Sequence, residues 1–391
     1  MSSFLATDSS VCTVRMAAMR PRLWWRLAVW LLMMAMLVSM TVPVAAAQSA
    51  PLKIIVDTDP GVDDALAITW LLSQRDRPVQ VLGVVSVFGN TTLESTTNNV
   101  LTVLEFNGRA DIQVVKGAAA PLAQVPTLTG WFIHGPDGLW GIGSQHPHDL
   151  SGLPTDYAGF YCATAGANPG ATILTLGPLT NLAGAAALCP DALRTMRVIA
   201  LGGAKAGGNK SPVAEFNFWQ DPDAVQRVLD AGIRPQIIPL DTFSRLAADG
   251  NLLDKLLRKG NPAVQQLAFA INQYAGVQAQ NGGPVLFPDV AATVFAAELA
   301  AGSSQPTLVK MAAGQPQNRG QSIVALSVPE RLALIADDAE LSSLAVQAFT
   351  VPGFDVNAAF GAILARQPDN AIWINAFDAK ALLNAVERGL K

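Results

Sequence analysis

The sequence predicts an α/β protein built on an open, mainly parallel (mixed) sheet with helices on both faces. Three observations carry that expectation. Short, continuously apolar runs recur along the chain, each too short for a helix and too uniformly apolar for a half-exposed strand. Each run ends in a turn rich in Gly, Pro, Asn or Asp, and a helical stretch follows. The 391 residues are half hydrophobic, ample for a core covered on two sides.

The elements follow in order. Residues 53–56 form the first strand, ending at Asp57-Thr58-Asp59-Pro60-Gly61, with a helix from about Val62. Residues 81–87 form the second, ending at Phe88-Gly89-Asn90. Residues 171–176 run into Gly177-Pro178-Leu179-Thr180-Asn181 and a helix over 182–188. Residues 198–201 end at Gly202-Gly203, and residues 236–240 at Asp241-Thr242. Right-handed crossovers between parallel strands place all these ends on one edge of the sheet, where open α/β sheets bind ligands. From Asn251 to Gln278 the pattern is helical, and an alanine-rich helix follows Phe287-Pro288-Asp289. Beyond residue 305 the pattern weakens, with strands at 322–326 and 371–375 and a closing helix over 380–390.

Arg20, Arg22 and Arg26 precede an apolar run over 27–38, and Val44-Ala45-Ala46-Ala47-Gln48 follows. A positive flank, a short apolar stretch and small residues at a cleavage position read as a secretory signal over residues 1–47. An uncleaved anchor is the alternative, and Met16 or Met19 an alternative start. Residues 48–391 read as one domain, exported to the periplasm or outside the cell. Of the three cysteines, Cys12 lies in the leader; Cys162 and Cys189 can pair in an oxidising compartment or remain buried thiols. The net charge of −4, without a long basic run, argues against a nucleic-acid partner.

The sharpest local feature is acidic. Asp57, Asp59, Asp63 and Asp64 crowd the end of the first strand. A helix start accounts for one of them as a cap. Four carboxylates at a buried edge raise one another's pKa or recruit a cation, and oxygen-only ligands favour calcium or magnesium over zinc.

Asp57-Thr58-Asp59-Pro60-Gly61-Val62-Asp63-Asp64-Ala65 resembles the signature of the inosine–uridine-preferring nucleoside hydrolase family. Further segments resemble that family in the same order: Phe88-Gly89-Asn90-Thr91-Thr92, then His134-Gly135 with Asp137-Gly138-Leu139, then Gly177-Pro178-Leu179-Thr180-Asn181, then Asn209 with Val213-Ala214-Glu215-Phe216-Asn217. The resemblance implies a Rossmann-like nucleoside hydrolase fold and hydrolysis of ribonucleosides to base and ribose. It implies a Ca2+ ion held by Asp59, Asp64, Asp289 and the backbone carbonyl of Leu176. It makes Asp59 the general base and gives ribose contacts to Asp63, Asn90, Asn209, Glu215 and Asn217, with Asp289 facing substrate as well. His134 matches a pocket loop of the family, and homo-oligomers are common in it.

One departure stands out. Several family members carry a His immediately before the last calcium-ligating Asp, and this chain has Pro288, which has no proton to give. His146 and His148 read as solvated, and Trp131, Phe132, Trp140 and Trp219 as candidates for stacking on a base. Two other functions compete. One is an exported nucleoside- or sugar-binding protein without turnover. The other is a metal-dependent phosphatase of haloacid-dehalogenase type, for which Asp337-Asp338 would serve as the acidic pair.

Overall fold

The alternation of side chains along β1 (Leu52–Thr58) shows how the chain is layered. Ile54 and Val56 pack into one core and Ile55 into another, all three essentially inaccessible to water. The same split separates Leu174 from Ile173 in β4 (Thr172–Thr175) and Ile199 from Val198 in β5 (Arg197–Leu201). A strand buried on both faces has no polar side to mark it, which is why these runs read as continuously apolar. The computed structural model describes residues 51–123, 130–314 and 316–391. The leader over 1–47 therefore lies outside the described residues.

The remaining strands are β2 (Val79–Ser86), β3 (Val114–Lys116), β6 (Gln236–Ile238), β7 (Ala247–Ala248), β8 (Val285–Leu286), β9 (Gly302–Ala312), β10 (Gln321–Ala325) and β11 (Ala371–Phe377). Among the described residues nine of the eleven strands make one sheet, ordered β10, β9, β11, β6, β5, β4, β1, β2, β3, while β7 and β8 pair separately. From β11 to β3 every pairing is parallel; β9 alone runs antiparallel to its two neighbours. The mixed, mainly parallel sheet expected from the sequence is thus present.

The chain leaves β1 towards β2 and β3 on one side, and fills β4, β5 and β6 on the other. The order reverses between β1 and β4, and a crevice opens there beyond the strand ends. The registers bring Asp57 opposite both Val85 and Thr175, so the loops after β1, β2 and β4 start at one level.

Helices Val62–Leu72, Pro288–Ala296 and Ala379–Leu390 contribute to one core. Helices Tyr157–Ala167, Thr180–Leu188 and Pro222–Asp230 contribute to the other. Trp70, fully buried, donates its indole N–H to the Ala385 carbonyl at 2.8 Å, tying the first helix to the last. Cys162 and Cys189 form a disulfide. It joins helix Tyr157–Ala167 to the end of helix Thr180–Leu188 and resolves the choice the sequence left open. Among the described residues no helix is long and apolar enough to cross a membrane.

Candidate active site

Two helix starts meet over the switch point. Asp63 and Asp64 stand in the first turn of helix Val62–Leu72, and Asp289 in the first turn of helix Pro288–Ala296, which packs against it. Helix N-termini carry partial positive charge and free N–H groups, which is what allows three buried carboxylates to crowd together. One oxygen from each of Asp63, Asp64 and Asp289 lies within 4.8 Å of the others. Asp64 is held hard: Oδ1 accepts the Thr58 hydroxyl at 2.5 Å, and Oδ2 accepts the Gly61 N–H at 3.0 Å. Its capping role is therefore real, and it leaves the carboxylate still facing the cluster. Asp63 Oδ2 accepts the Tyr274 hydroxyl at 3.1 Å, while its Oδ1 is buried without a hydrogen-bond partner.

Asp59 is not part of this trio and is not among the residues that line the adjoining cavity. Its Oδ2 accepts the Asn90 N–H at 2.7 Å, and Asn90 Nδ2 bridges the Asp59 carbonyl at 3.1 Å and Asp64 Oδ2 at 3.3 Å. Glycines make room for it: a Cβ at Gly177 would lie 2.4 Å from Asp59 Oδ1, and one at Gly89 2.0 Å from Oδ2. That close approach gives a physical reason for the Gly-Asn and Gly-Pro turns noticed in the sequence. Asp57 faces away, accepting the Tyr161 hydroxyl at 2.5 Å and the Asn181 amide at 3.2 Å. Asn181 also donates to the Ser86 carbonyl at 3.1 Å, so it braces the strand ends.

Burial sets the electrostatics. It pushes Asp64 up to about 7, with the Asp63 charge adding to the rise. It pushes Asp59 and Asp289 well above the carboxylate range, with neighbouring carboxylates adding to both shifts. Glu215 rises to about 7 by burial, although its oxygens accept N–H groups from Gly203, Asn217 and Phe218 at 2.9–3.1 Å. Burial holds His134 below the usual histidine value.

The carboxylates face a cavity of about 510 Å3, a size suited to a small organic ligand. Of the residues singled out in the sequence, Asp63, Asp64, Asn90, His134, Leu176, Asn209, Glu215, Asn217 and Asp289 all line it. The Leu176 carbonyl accepts the Asn217 amide at 2.6 Å and retains a second lone pair. Asn209 Oδ1 accepts the Phe216 N–H at 2.9 Å, which fixes the loop before helix Phe216–Gln220.

Sequence reasoning missed several contributors. Thr58 carried no mark beyond its place between two aspartates. Leu240, Phe243, Leu286 and Gln278 line the cavity from later elements whose helical or apolar pattern gives no hint of facing a ligand. Of the aromatic candidates, Phe132 lines the cavity, and Trp131 packs against it at a tilt, with ring centres 4.4 Å apart. Trp140 instead donates to the Ile133 carbonyl, and Trp219 lies under the Lys210 and Arg319 cations. His146 and His148, expected to be solvated, are half-buried: His146 packs edge-on to Phe106, and His148 Nε2 lies 3.6 Å from Glu105. Asp137 receives N–H groups from Leu139, Gly141 and Ser144 and so shapes the loop that carries His134. Asp337 caps a surface helix, far from serving a phosphatase site.

A doubly wound α/β protein with a carboxylate-floored pocket at its switch point is a small-molecule-binding protein of the kind that hosts metal-assisted chemistry. Comparison with known proteins narrows this to one family. Residues 54–382 match the model of the inosine-uridine preferring nucleoside hydrolase, and the chain belongs to that family. A probable uridine nucleosidase 1 of Oryza sativa subsp. japonica is 35% identical over 215 residues, covering 54% of this chain and 65% of its own length. The non-specific ribonucleoside hydrolase RihC of Salmonella agona is 34% identical over 210 residues, covering 53% and 67%. The chain thus spans about two thirds of the length of these curated relatives. The solved plant nucleoside hydrolase PpNRh1 superposes with a TM-score of 0.69 at 24% identity, over 87% of this chain and 98% of that one.

Proposed function

We propose that the protein is a calcium-dependent ribonucleoside hydrolase, cutting the N-glycosidic bond to release base and ribose. The observation that carries this is the trio Asp63, Asp64 and Asp289, gathered on two helix starts at the floor of a nucleoside-sized cavity. Relatives named for nucleoside hydrolysis support the reading.

The donor set fits a hard divalent cation. All its side chains are carboxylates, they are buried, and Asp63 Oδ1 has no hydrogen-bond partner, with His134 Nδ1 3.7 Å away. Asp64, Asp289, Asp59 and the Leu176 carbonyl would hold the ion, and Asp63 stands close enough to join them or to take a ribose hydroxyl. Calcium bound there supplies charge that makes an attacking water easier to deprotonate and orients sugar hydroxyls. Asp59 would serve as the base that takes a proton from the water attacking C1′. Asn90, Asn209, Glu215 and Asn217 hold the ribose, fixing C1′ against the water and removing much of the entropic barrier. The surrounding carboxylates stabilise positive charge as it develops on the furanose. Export and self-association remain part of the proposal, and the Cys162–Cys189 disulfide supports an oxidising compartment.

The test is release of free ribose from uridine, cytidine, inosine, adenosine and guanosine, with and without a calcium chelator. Chelator-sensitive release is expected from at least one. Tight nucleoside binding without release, in folded protein supplied with calcium, would replace the hydrolase with a binding protein.

The packing under Asp59 yields a second expectation. Gly177→Ala places a methyl group against Asp59 Oδ1 and must displace the carboxylate. Because a shift of about 1 Å in a reacting group can cost about 10²-fold, kcat should fall by that order while KM changes little. An unchanged kcat would mean that the position of Asp59 does not limit the reaction.

A further inference from the structure

A buried polar group lies beside the core that holds Ile55, and the reaction as described makes no use of it. Asp57 is inaccessible to water, and so are Tyr161 and Asn181, whose side chains reach it. Tyr161 donates its hydroxyl to Oδ2 at 2.5 Å, and Asn181 donates its amide to Oδ1 at 3.2 Å. An apolar set of the same volume would fill that space without the cost of desolvation, so stability alone gives no reason for it. The two donors come from different elements. Tyr161 stands in helix Tyr157–Ala167, outside every segment that carries the family resemblance, and Asn181 in the first turn of helix Thr180–Leu188. The Cys162–Cys189 disulfide fastens these helices together, and Cys162 is the residue next to Tyr161.

What these contacts hold is the strand end that leads into Asp59. Side chains alternate along β1, so Thr58 turns to one face and grips Asp64, while Asp57 turns to the other and meets Tyr161. The strand is clamped from both faces just before Asp59. The Asp57 carbonyl accepts the Leu176 N–H at 2.8 Å, and the Thr58 carbonyl accepts the Val87 N–H at 3.0 Å. Asn181 extends the grip by donating to the Ser86 carbonyl at 3.1 Å and accepting the Ala118 N–H at 2.7 Å. The loops after β2 and β4, joined here to β1, also supply the Asn90 N–H and the Gly89 and Gly177 backbones that close around the Asp59 carboxylate.

We propose that Tyr161 is a positioning residue for the hydrolysis: with Asn181 it fixes Asp57, and Asp57 fixes the turn that sets Asp59. The inference rests on the hydrolase reading and adds residues that do not line the cavity. Removing the Tyr161 hydroxyl leaves its ring in the core but frees one oxygen of Asp57, and the turn beyond can then shift by a fraction of an ångström. A shift of about 1 Å in a reacting group can cost about 10²-fold, so kcat should fall about tenfold.

The experiment measures kcat and KM for ribose release from uridine and inosine by the full chain with calcium. Tyr161→Phe is made alone and together with Asp59→Asn. Alone, it should lower kcat about tenfold and leave KM within about twofold, because the residue meets no substrate. Added to Asp59→Asn, it should change the residual kcat by less than about twofold, since no base is left to misplace and residues that act through one another are not additive. Val228→Ala truncates a buried side chain in the same core and reports lost stability alone, so its kcat should match the parent's. Asn181→Ala removes the other donor to Asp57 and should reproduce both Tyr161→Phe results, which carries the test if the tyrosine variant does not fold. Parent-like kcat in the Tyr161 and Asn181 variants would overturn the proposal, as would a rise in KM without a fall in kcat. A loss of about tenfold that persists on top of Asp59→Asn would overturn it too, because the effect would then not run through Asp59. So would a Val228→Ala protein as slow as Tyr161→Phe. No ribose from the parent would remove the hydrolase reading itself, and this inference with it.

Discussion

Asp59→Asn is expected to lower kcat by about 10³-fold or more while leaving the fold in place. The amide keeps an oxygen for the Asn90 N–H, now accepted at 2.7 Å, so the loop that carries the residue has little reason to move. What disappears is the ability to take a proton, a contribution of about 10²–10⁴-fold for a positioned base. One unit of negative charge near the developing cation goes with it. The result is diagnostic only alongside two controls: unchanged thermal unfolding, and calcium binding measured directly by calorimetry. Near-normal turnover by a calcium-loaded Asp59→Asn protein would show that another group takes the proton. The contrast with Gly177→Ala sharpens the point, since that variant keeps the carboxylate and only moves it.

The legibility of this protein follows from which signals are local. The strands at the centre of the sheet were readable because burial on both faces makes them continuously apolar, and their polar turns are contiguous in sequence. β3 escaped because it is short, and β9 because its first half is exposed and polar, with Pro306 inside it. In the site, Asp59, Asp63 and Asp64 announce themselves by crowding one loop. Asp289 does not: it arrives from a different helix and became visible only through the family resemblance. The contacts made by tertiary packing left no trace. Nothing in helix Ala268–Gln280 says that Tyr274 meets Asp63, and nothing in the Phe-Asn-Phe-Trp segment says that Asn217 caps two strand ends through the Leu176 and Leu201 carbonyls. Contacts of this kind depend on where two surfaces meet, which a one-dimensional pattern does not encode.

The carboxylate floor also makes stability depend on pH in a direction opposite to that of an ordinary salt-bridged aspartate. Asp64 rises from 3.8 to about 7 on folding, and Asp59 and Asp289 rise well above 3.8. A folded state that holds its protons more tightly than the unfolded chain is favoured at low pH. That advantage is fully present below the unfolded value and is lost as pH rises through the folded one. For Asp64 the loss runs from about pH 4 to about pH 7, and like-charge crowding is greatest above that window. Calcium offsets the crowding and displaces the protons, so its stabilising effect should grow with pH across the same window. At a hundredfold excess over Kd the effect is about 2.7 kcal/mol, or about 4 °C in Tm for a chain of this size. Thermal scans at about pH 5 and about pH 8, with calcium and with chelator, should therefore show the larger calcium-induced rise at the higher pH. Asp289→Asn removes one of the crowded charges, so without calcium it should raise Tm at the higher pH and blunt the response to the ion. A calcium response that is equal at both pH values, or an Asp289→Asn protein that responds like the parent, would mean that these carboxylates are not where the ion binds.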